Sequence, residues 1–311
     1  MIDALSKAFF GTLADSRTLK HAASRYGMRS PRSFARRFIA GHTVDEAIAV
    51  ARTLESQGLT HTLDVLGESV ADEAGAAAAT DAYLDMMPAI VEADVDRNLS
   101  IKLTQLGLDL DRELCVTHLR AILARARDDG FFVRIDMEDS RYTQVTLDIF
   151  EQVWREGLTN VGVVLQSALR RSEADLTRVL ALGARVRLVK GAYREPASVA
   201  FQSRREVDEA YVRLLGRLLP HGTFPAVATH DEAMLGAARA IAQEHGVAQD
   251  RFEFQMLFGV RRDLQASLRA EGYGMRIYVP FGREWFPYFM RRLGERPANV
   301  AFVVSSLWRE R

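Results

Sequence analysis

Short apolar or β-branched segments recur along the chain from Thr62 onward, and each is followed by a longer segment with apolar residues at helical spacing. This alternation predicts βα units that build a parallel sheet. The predicted strands are the eight segments 62–65, 100–103, 132–136, 160–165, 185–190, 224–228, 252–256 and 275–279. Eight units favour a closed (βα)8 barrel of the TIM type, because no Gly-x-Gly-x-x-Gly fingerprint follows an early strand. An open doubly wound sheet is the alternative.

Helical spacing also precedes the first predicted strand. The segments predicted to be helices there are 6–14, 19–26 and 44–57. Thr43 is a suitable N-terminal cap for the last of them, and Gly58 a suitable stop. The alanine-rich segment 75–80 continues into apolar residues at helical spacing and is also predicted to be a helix. We therefore expect an N-terminal helical segment, 1–60, followed by a barrel domain, 61–311.

The composition narrows the class of protein. Of the 311 residues, 48% are hydrophobic and 26% charged, which is typical of a globular protein with a substantial core. Lys plus Arg and Asp plus Glu both number 41, so no net charge attracts nucleic acid. The single cysteine, Cys115, cannot form an internal disulfide, and no Cys/His cluster has metal-ligand spacing.

The pattern also bears on location. No signal peptide and no run of about 18 apolar residues is present, so the sequence predicts a cytoplasmic protein in a reducing compartment. Peripheral contact with the inner face of the membrane through an amphipathic surface helix stays open.

Polar residues stand at the ends of several predicted strands, where the active site of a βα barrel lies. Lys102 lies within an apolar run of the second predicted strand, and Asp136 is the last residue of the third. Both are costly to bury unpaired. They therefore form either an ion pair that ties two strands together or a site carboxylate with a nearby ammonium. Gln166, after the fourth strand, offers an amide that can donate and accept towards a heterocyclic ring.

Two further strand ends carry candidate cofactor residues. In the fifth strand, Arg187 and Lys190 lie near Gly191. Glycine has no side chain, so a ligand can approach the backbone closely there. The two cations suit a pyrophosphate or an anionic ring edge. After the sixth come Thr229 and His230, which could hold phosphate or ribose oxygens. A lone histidine is more often structural or solvated, so both interpretations stay open.

The last βα unit places Trp285, Tyr288, Arg292 and Glu295 on one helical stripe. An aromatic packing face with an Arg/Glu surface pair would give the same stripe. The adjacent Arg291 weakens that explanation, because neighbouring like charges are more easily explained if an anion, such as a substrate carboxylate, neutralises them.

Together these segments resemble the proline dehydrogenase family, the flavin barrel also found within bifunctional proline utilisation proteins. The resemblance covers most of 61–311. The segments that carry it are 62–64, 101–103, 135–136, 187–193, 228–230 and 276–295. It implies an enzyme that uses FAD to oxidise L-proline by hydride transfer to flavin N5, giving 1-pyrroline-5-carboxylate, and that passes the electrons to a membrane quinone.

The resemblance also implies roles for individual residues. The substrate-binding set is Lys102, Leu188, Tyr278, Tyr288, Arg291, Arg292 and Glu295. The flavin-binding set is Met137, Gln166, Arg187, Lys190, Gly191, Ala192, Thr229 and His230. In the catalytic set, Asp136 secures the closed site and Arg187 is hypothesised to gate it.

Two other functions compete with this one. A folate-reducing flavin barrel would also be yellow but would not respond to proline, and a barrel kept only for binding or regulation would not turn over. No aldehyde dehydrogenase segment follows Arg311. We therefore expect a monofunctional enzyme whose semialdehyde product is oxidised by a separate dehydrogenase.

Overall fold

The computed structural model describes residues 34–294, with side chains for 35–290. Its strands form a closed parallel barrel in chain order. They are β1 Thr60–Val65, β2 Asn98–Ile101, β3 Phe132–Ile135, β4 Val161–Gln166, β5 Arg185–Val189, β6 Ala226–Ala228, β7 Glu253–Leu257 and β8 Gly274–Phe281. The last strand pairs with the first from Thr60 opposite Arg276 to Val65 opposite Phe281, which closes the barrel.

In the described part of the chain, helices connect the consecutive strands, one more helix precedes β1 and another follows β8. They are α1 Val44–Ser56, α2 Glu73–Ala93, α3 Arg112–Asp128, α4 Ser140–Arg155, α5 Ser172–Ala181, α6 Arg204–His221, α7 Glu232–Glu244, α8 Arg262–Ala270 and α9 Trp285–Gly294. Short 3-10 turns in the described residues are Phe34–Arg37, Thr104–Leu106 and Gln249–Arg251. Within the described part of the chain, none of these helices is long and apolar enough to cross a membrane.

The main apolar core lies between the outer wall of the barrel and the helices. Outward-facing strand residues such as Leu63 and Leu99 pack there against helix residues such as Met87 and Leu119, all fully buried. Cys115 of α3 belongs to the same core, and its Sγ lies 3.5 Å from the carbonyl oxygen of Leu103. The inside of the barrel is therefore left to the alternate strand residues.

Contacts between non-neighbouring strands identify these interior residues. Arg187 of β5 donates to Ser100 of β2 at 3.2 Å, and Tyr278 of β8 donates to Asp136, just after β3, at 2.7 Å. Such contacts must cross the interior of a closed barrel. The interior polar residues of the strands include Thr62, Asp64, Asn98, Ser100, Arg134, Gln166, Arg187, Glu253, Gln255, Arg276 and Tyr278. The barrel is thus filled largely by polar side chains.

The predicted barrel is confirmed, with all eight strands in the predicted order. Their ends agree with the predicted ends to within two residues: the second strand covers Asn98–Ile101 rather than 100–103, so Lys102 lies just beyond it. The helix predicted for 44–57 is confirmed as α1, where Thr43 and Glu46 form a reciprocal capping box.

Of the other helices predicted from the sequence, one lies in the described residues and two do not. The alanine-rich segment 75–80 is helical, within α2. The helices predicted for 6–14 and 19–26 lie outside the described residues. The division into segments 1–60 and 61–311 stays a prediction, although α1 already packs against β1 and β8.

Candidate active site

Five side chains meet where β1, β2, β3, β5 and β8 reach the carboxyl end of the barrel. We name Asp64, Lys102, Asp136, Arg187 and Tyr278 the mouth cluster. Lys102 Nζ lies 2.9 Å from Asp64 Oδ1 and 3.7 Å from Asp136 Oδ2. Arg187 Nη1 donates to Asp136 Oδ1 at 2.7 Å, and the Tyr278 hydroxyl donates to Asp136 Oδ2 at 2.7 Å. The prediction that Lys102 and Asp136 lie close together is confirmed, but the shorter ion pair of Lys102 is with Asp64.

The electrostatics of the mouth cluster fix two protonation states. Burial alone would lower the pKa of Lys102, but the carboxylates of Asp64 and Asp136 outweigh it and hold that pKa well above its ordinary value. Burial and the Asp136 carboxylate together raise the pKa of Tyr278 well above the ordinary value. At neutral pH the cluster therefore presents a charged ammonium and a protonated phenol.

Arg187 is held from three sides. Its Nη1 and Nη2 donate to Asp136 and Ser100, and its guanidinium carbon lies 5.4 Å from the centre of the Tyr278 ring. Its Nε is buried, and among the described residues it has no hydrogen-bond partner. Buried donors of this kind normally meet a polar group. The mouth of the barrel thus offers a donor suited to a polar ring edge.

The turn after β5 approaches the same mouth. Gly191 has φ +111°, in the left-handed region that favours glycine, and a Cβ there would lie 3.2 Å from both Ala168 Cβ and Gln166 Oε1. Gly191 and Ala192 are both exposed. The residues of this turn are therefore accessible from outside, and the approach of a ligand to the backbone at Gly191 stays a prediction.

Gln166 and Lys190 are both engaged with protein groups. Gln166 Nε2 donates to the carbonyl oxygen of Glu138 at 2.8 Å, and the residue is 3% exposed. Lys190 Nζ pairs with Asp208 and, at 2.7 Å, with Asp231. The hydrogen bond from Lys190 lowers the pKa of Asp231 to about 2. The charge of Lys190 is thus already balanced by two carboxylates from α6 and the start of α7.

The residues after β6 have structural contacts. His230 Nε2 accepts from the backbone N–H of Leu257 at 3.0 Å, which ties the end of β6 to the end of β7. The Thr229 hydroxyl oxygen accepts from the backbone N–H of Asp231 at 3.1 Å. These contacts support the structural interpretation of His230, and both side chains still stand at the mouth.

The aromatic residues of the last stripe pack in a small core, and the substrate contact expected of Tyr288 stays a prediction. Trp285 and Tyr288 are 2% and 7% exposed and share a small core with Ile39 and Leu66. The backbone of Arg291 and Arg292 continues α9, whereas their side chains and the whole of Glu295 lie outside what the structure describes. Binding of an anion by the pair Arg291 and Arg292 therefore stays a prediction. Two other predicted site residues are buried. Met137 lies just after β3, and Leu188 lies within β5.

Sequence reasoning assigned no role to three residues near the mouth: Asp64, Ser100 and Glu138. Asp64 and Ser100 are fully buried polar residues within apolar strands, the same signal that singled out Lys102. Glu138, 6% exposed, lies two residues beyond Asp136. A systematic search for polar residues at alternate strand positions would have found the first two.

Comparison with known proteins agrees with this architecture. The model of the family described as proline dehydrogenase matches residues 47–305. Proline dehydrogenase 1 of Bacillus subtilis subsp. natto is 43% identical over 295 residues, which cover 95% of this chain and 96% of that protein. The proline dehydrogenase of Deinococcus radiodurans is 41% identical over 279 residues, covering 88% of this chain and 90% of that protein.

A solved structure shares the fold. The crystal structure of proline utilization A from Bdellovibrio bacteriovorus inactivated by N-propargylglycine matches with a TM-score of 0.78 and 26% identity, over 83% of this chain and 32% of that one. The match to the family model extends over most of the chain, and the relatives align almost from end to end. The chain therefore belongs to the proline dehydrogenase family.

Proposed function

We propose that this protein oxidises L-proline to 1-pyrroline-5-carboxylate with FAD as its cofactor and passes the electrons to a quinone. Family membership supports the reaction, since the relatives are named proline dehydrogenases. The observation that carries the proposal is the mouth cluster, which combines a charged ammonium with a protonated phenol at the carboxyl end of the barrel.

The residues around the mouth fit a flavin. The buried Nε of Arg187 supplies a donor for a polar ring edge, and the turn at Gly191 is exposed. Those that would hold FAD are Met137, Gln166, Arg187, Lys190, Gly191, Ala192, Thr229 and His230. When bound, FAD supplies a hydride acceptor at N5, chemistry that no side chain provides.

The protein's own contribution is to position the substrate. Lys102, together with Arg291 and Arg292, would hold the proline carboxylate, and its raised pKa keeps its charge at neutral pH. Leu188 and the ring of Tyr278 would line the pyrrolidine ring. Tyr288 and Glu295 complete the proposed substrate set, with Glu295 orienting the arginine pair. Positioning of this kind lowers the barrier without acid or base catalysis by the protein.

The substrate nitrogen must be neutral when hydride leaves, because positive charge would otherwise accumulate there. Apolar Leu188, 1% exposed, and exclusion of water disfavour the charged amine. Asp136 holds Tyr278 and Arg187 in place from one carboxylate. The ring of Tyr278 would crowd a hydroxyl on the substrate, so we expect proline to be preferred over hydroxyproline.

The partners of the reaction complete the proposal. A quinone acceptor implies that the protein meets the inner face of the membrane peripherally. The cyclic imine hydrolyses to glutamate semialdehyde, and a separate semialdehyde dehydrogenase would consume it.

The test is to purify the protein, record its visible spectrum and add L-proline without oxygen, with D-proline as the matched control. We expect the flavin bands to bleach with the L isomer. A yellow protein that proline leaves unchanged would indicate another flavin barrel, such as the folate-reducing type. A colourless protein that cannot take up FAD would contradict the enzyme proposal.

A further inference from the structure

Glu138 is a buried carboxylate outside the mouth cluster. It lies three residues beyond the end of β3 and is 6% exposed. Burial of a carboxylate is unfavourable unless strong hydrogen bonds compensate for the lost solvation. Its partners therefore indicate what this side chain does.

Both carboxylate oxygens of Glu138 bind Thr104. Oε1 accepts from the Thr104 backbone N–H at 3.1 Å, and Oε2 accepts from the Thr104 hydroxyl at 2.6 Å. Thr104 is fully buried and begins the 3-10 turn that follows Lys102. Burial raises the pKa of Glu138, and the two bonds from Thr104 oppose that rise. The carboxylate thus fixes the backbone two residues beyond the ammonium of the mouth cluster.

The main chain of Glu138 points to a different strand. Its carbonyl oxygen accepts from Gln166 Nε2 at 2.8 Å, and the same amide donates to the carbonyl oxygen of Met137 at 3.4 Å. Gln166 is the last residue of β4. Glu138 therefore links the ends of β2, β3 and β4. Its side chain binds Thr104, close to Lys102, and its carbonyl oxygen binds Gln166, a proposed flavin contact.

The linkage extends to the segment after β1. The backbone N–H of Ser69 donates to the Thr104 hydroxyl oxygen at 3.2 Å. Ser69 has φ +44°, a left-handed conformation that is unfavourable for a non-glycine residue and persists only where its surroundings hold it. The Thr104 hydroxyl is thus shared between a strained loop residue and the buried carboxylate.

We propose that Glu138 is a positioning residue, which acts through Thr104 to set the Lys102 ammonium relative to Gln166. The inference rests on the proposed function, which assigns the substrate carboxylate to Lys102 and the flavin to Gln166. Hydride transfer depends steeply on the distance between donor and acceptor, and a displacement of about 1 Å can cost roughly 10²-fold in rate. Glu138 itself touches neither ligand in this scheme.

The variants isolate the hydroxyl of Thr104. Thr104→Val removes it with almost no change of shape, and Thr104→Ser keeps it. Glu138→Gln keeps the shape of the side chain and one acceptor oxygen, but its amide nitrogen can only donate, so one of the two hydrogen bonds from Thr104 is lost. Thr146→Val is the matched control, because Thr146 is a buried threonine, 1% exposed, in the middle of α4.

Two quantities are measured on the FAD-loaded protein. The first is the rate of flavin reduction by L-proline without oxygen. The second is the calorimetric dissociation constant of cyclopentanecarboxylate, which carries the carboxylate of proline on a ring that cannot be oxidised in the same way. We expect Thr104→Val and Glu138→Gln each to slow reduction by roughly 10- to 100-fold and to weaken carboxylate binding several-fold. Thr104→Ser, which keeps both donors, is expected to stay within about threefold of wild type.

A purely structural role would give a different result. If Thr104→Val lowered the unfolding temperature as Thr146→Val does, but left the reduction rate and the carboxylate affinity unchanged, the positioning role would be wrong. If Thr104→Ser failed as badly as Thr104→Val, or if Glu138→Gln behaved as wild type, the hydrogen bonds between the two residues would not be the cause and the inference would also be wrong. Wild-type flavin that proline does not reduce would overturn the proposed function instead, and the carboxylate affinities would still compare the variants.

Discussion

The two ends of the barrel interior both hold buried charge, but they arrange it differently. At the opposite end from the mouth cluster, Arg276 Nε donates to both oxygens of Glu253, at 2.9 and 3.1 Å, and its Nη1 donates to Asp96 and to the carbonyl oxygen of His61. Gln255 adds a further hydrogen bond to Glu253 at 2.5 Å. We name Arg276, Glu253 and Asp96 the floor cluster.

In the floor cluster one guanidinium is matched to two carboxylates by several short contacts. In the mouth cluster Lys102 is shared between two carboxylates at unequal distances, and Arg187 keeps a buried Nε without a partner among the described residues. The difference follows the general division of βα barrels, in which the carboxyl end serves function and the amino end stability. We therefore expect buried charged residues to serve function at the mouth and stability at the floor.

The largest expected effect is at the floor. Arg276→Met leaves Glu253 and Asp96 without their cation, and breaking a buried pair in this way costs about 3–5 kcal/mol of unfolding free energy. Urea unfolding measures the loss, and proline turnover by the protein that remains folded should stay close to wild type. Arg213→Met is the control, because its partner Glu173 and Arg213 itself are each 51% exposed and the expected change is within about 0.5 kcal/mol. Equal losses for both variants would contradict the comparison.

The opposite result is expected at the mouth. Replacing the Lys102 and Asp64 pair by Met and Leu together removes two buried charges at once, and such replacements are often neutral or stabilising by about 1–4 kcal/mol. The same double variant should lose roughly 100-fold in kcat/KM for proline, about 2.7 kcal/mol of transition-state stabilisation. A stable double variant with wild-type turnover would show that the mouth cluster is not a substrate site.

A smaller effect is expected for Tyr278→Phe. The variant removes the hydroxyl that donates to Asp136 at 2.7 Å, and a hydrogen bond to a charged group contributes about 1.5–3 kcal/mol to stability. The aromatic ring remains, so the preference for proline over hydroxyproline should persist. Thermal unfolding and the ratio of kcat/KM for the two substrates check both parts. Loss of the preference would mean that the hydroxyl, not the ring, excludes the larger substrate.

The smallest effect is a pH dependence beside the floor cluster. Burial lowers the pKa of His61 below its ordinary value of 6.5, although Asp96 and Glu55 oppose the shift. As pH falls below 6.5, the unfolded chain binds a proton before the folded protein does, so the free energy of unfolding decreases towards the lower folded-state pKa. His61→Gln, which keeps a donor for Glu55, should flatten that slope in urea unfolding measured at successive pH values. An unchanged slope would assign the effect to another group.

The strands could be predicted from the sequence because their period and spacing are local properties. The alternation gave all eight in order, while the ends shifted because hydrogen bonds to a neighbouring strand decide where a strand stops. The second strand, for example, ends at Ile101, where its register against β3 ends. Lys102 is therefore freed from the sheet and can reach across to Asp64.

The mouth cluster could be predicted only in part. Lys102 and Asp136 stand out because each interrupts an apolar run. The contact of Arg187 with Ser100 depends on how the closed barrel brings β5 opposite β2, and no local pattern records that geometry. Lys190 gives a further example, since its two carboxylate partners come from later helices.

The burial of Cys115 has a practical consequence for measuring motion at the mouth. It is the only cysteine in the chain. Its side chain is buried, and burial raises its pKa to about 12, so the thiolate that reacts with labelling reagents is scarce at neutral pH. Leu110, between β2 and α3, is 39% exposed. A cysteine placed there would carry a fluorophore or spin label selectively, with the natural thiol left in place.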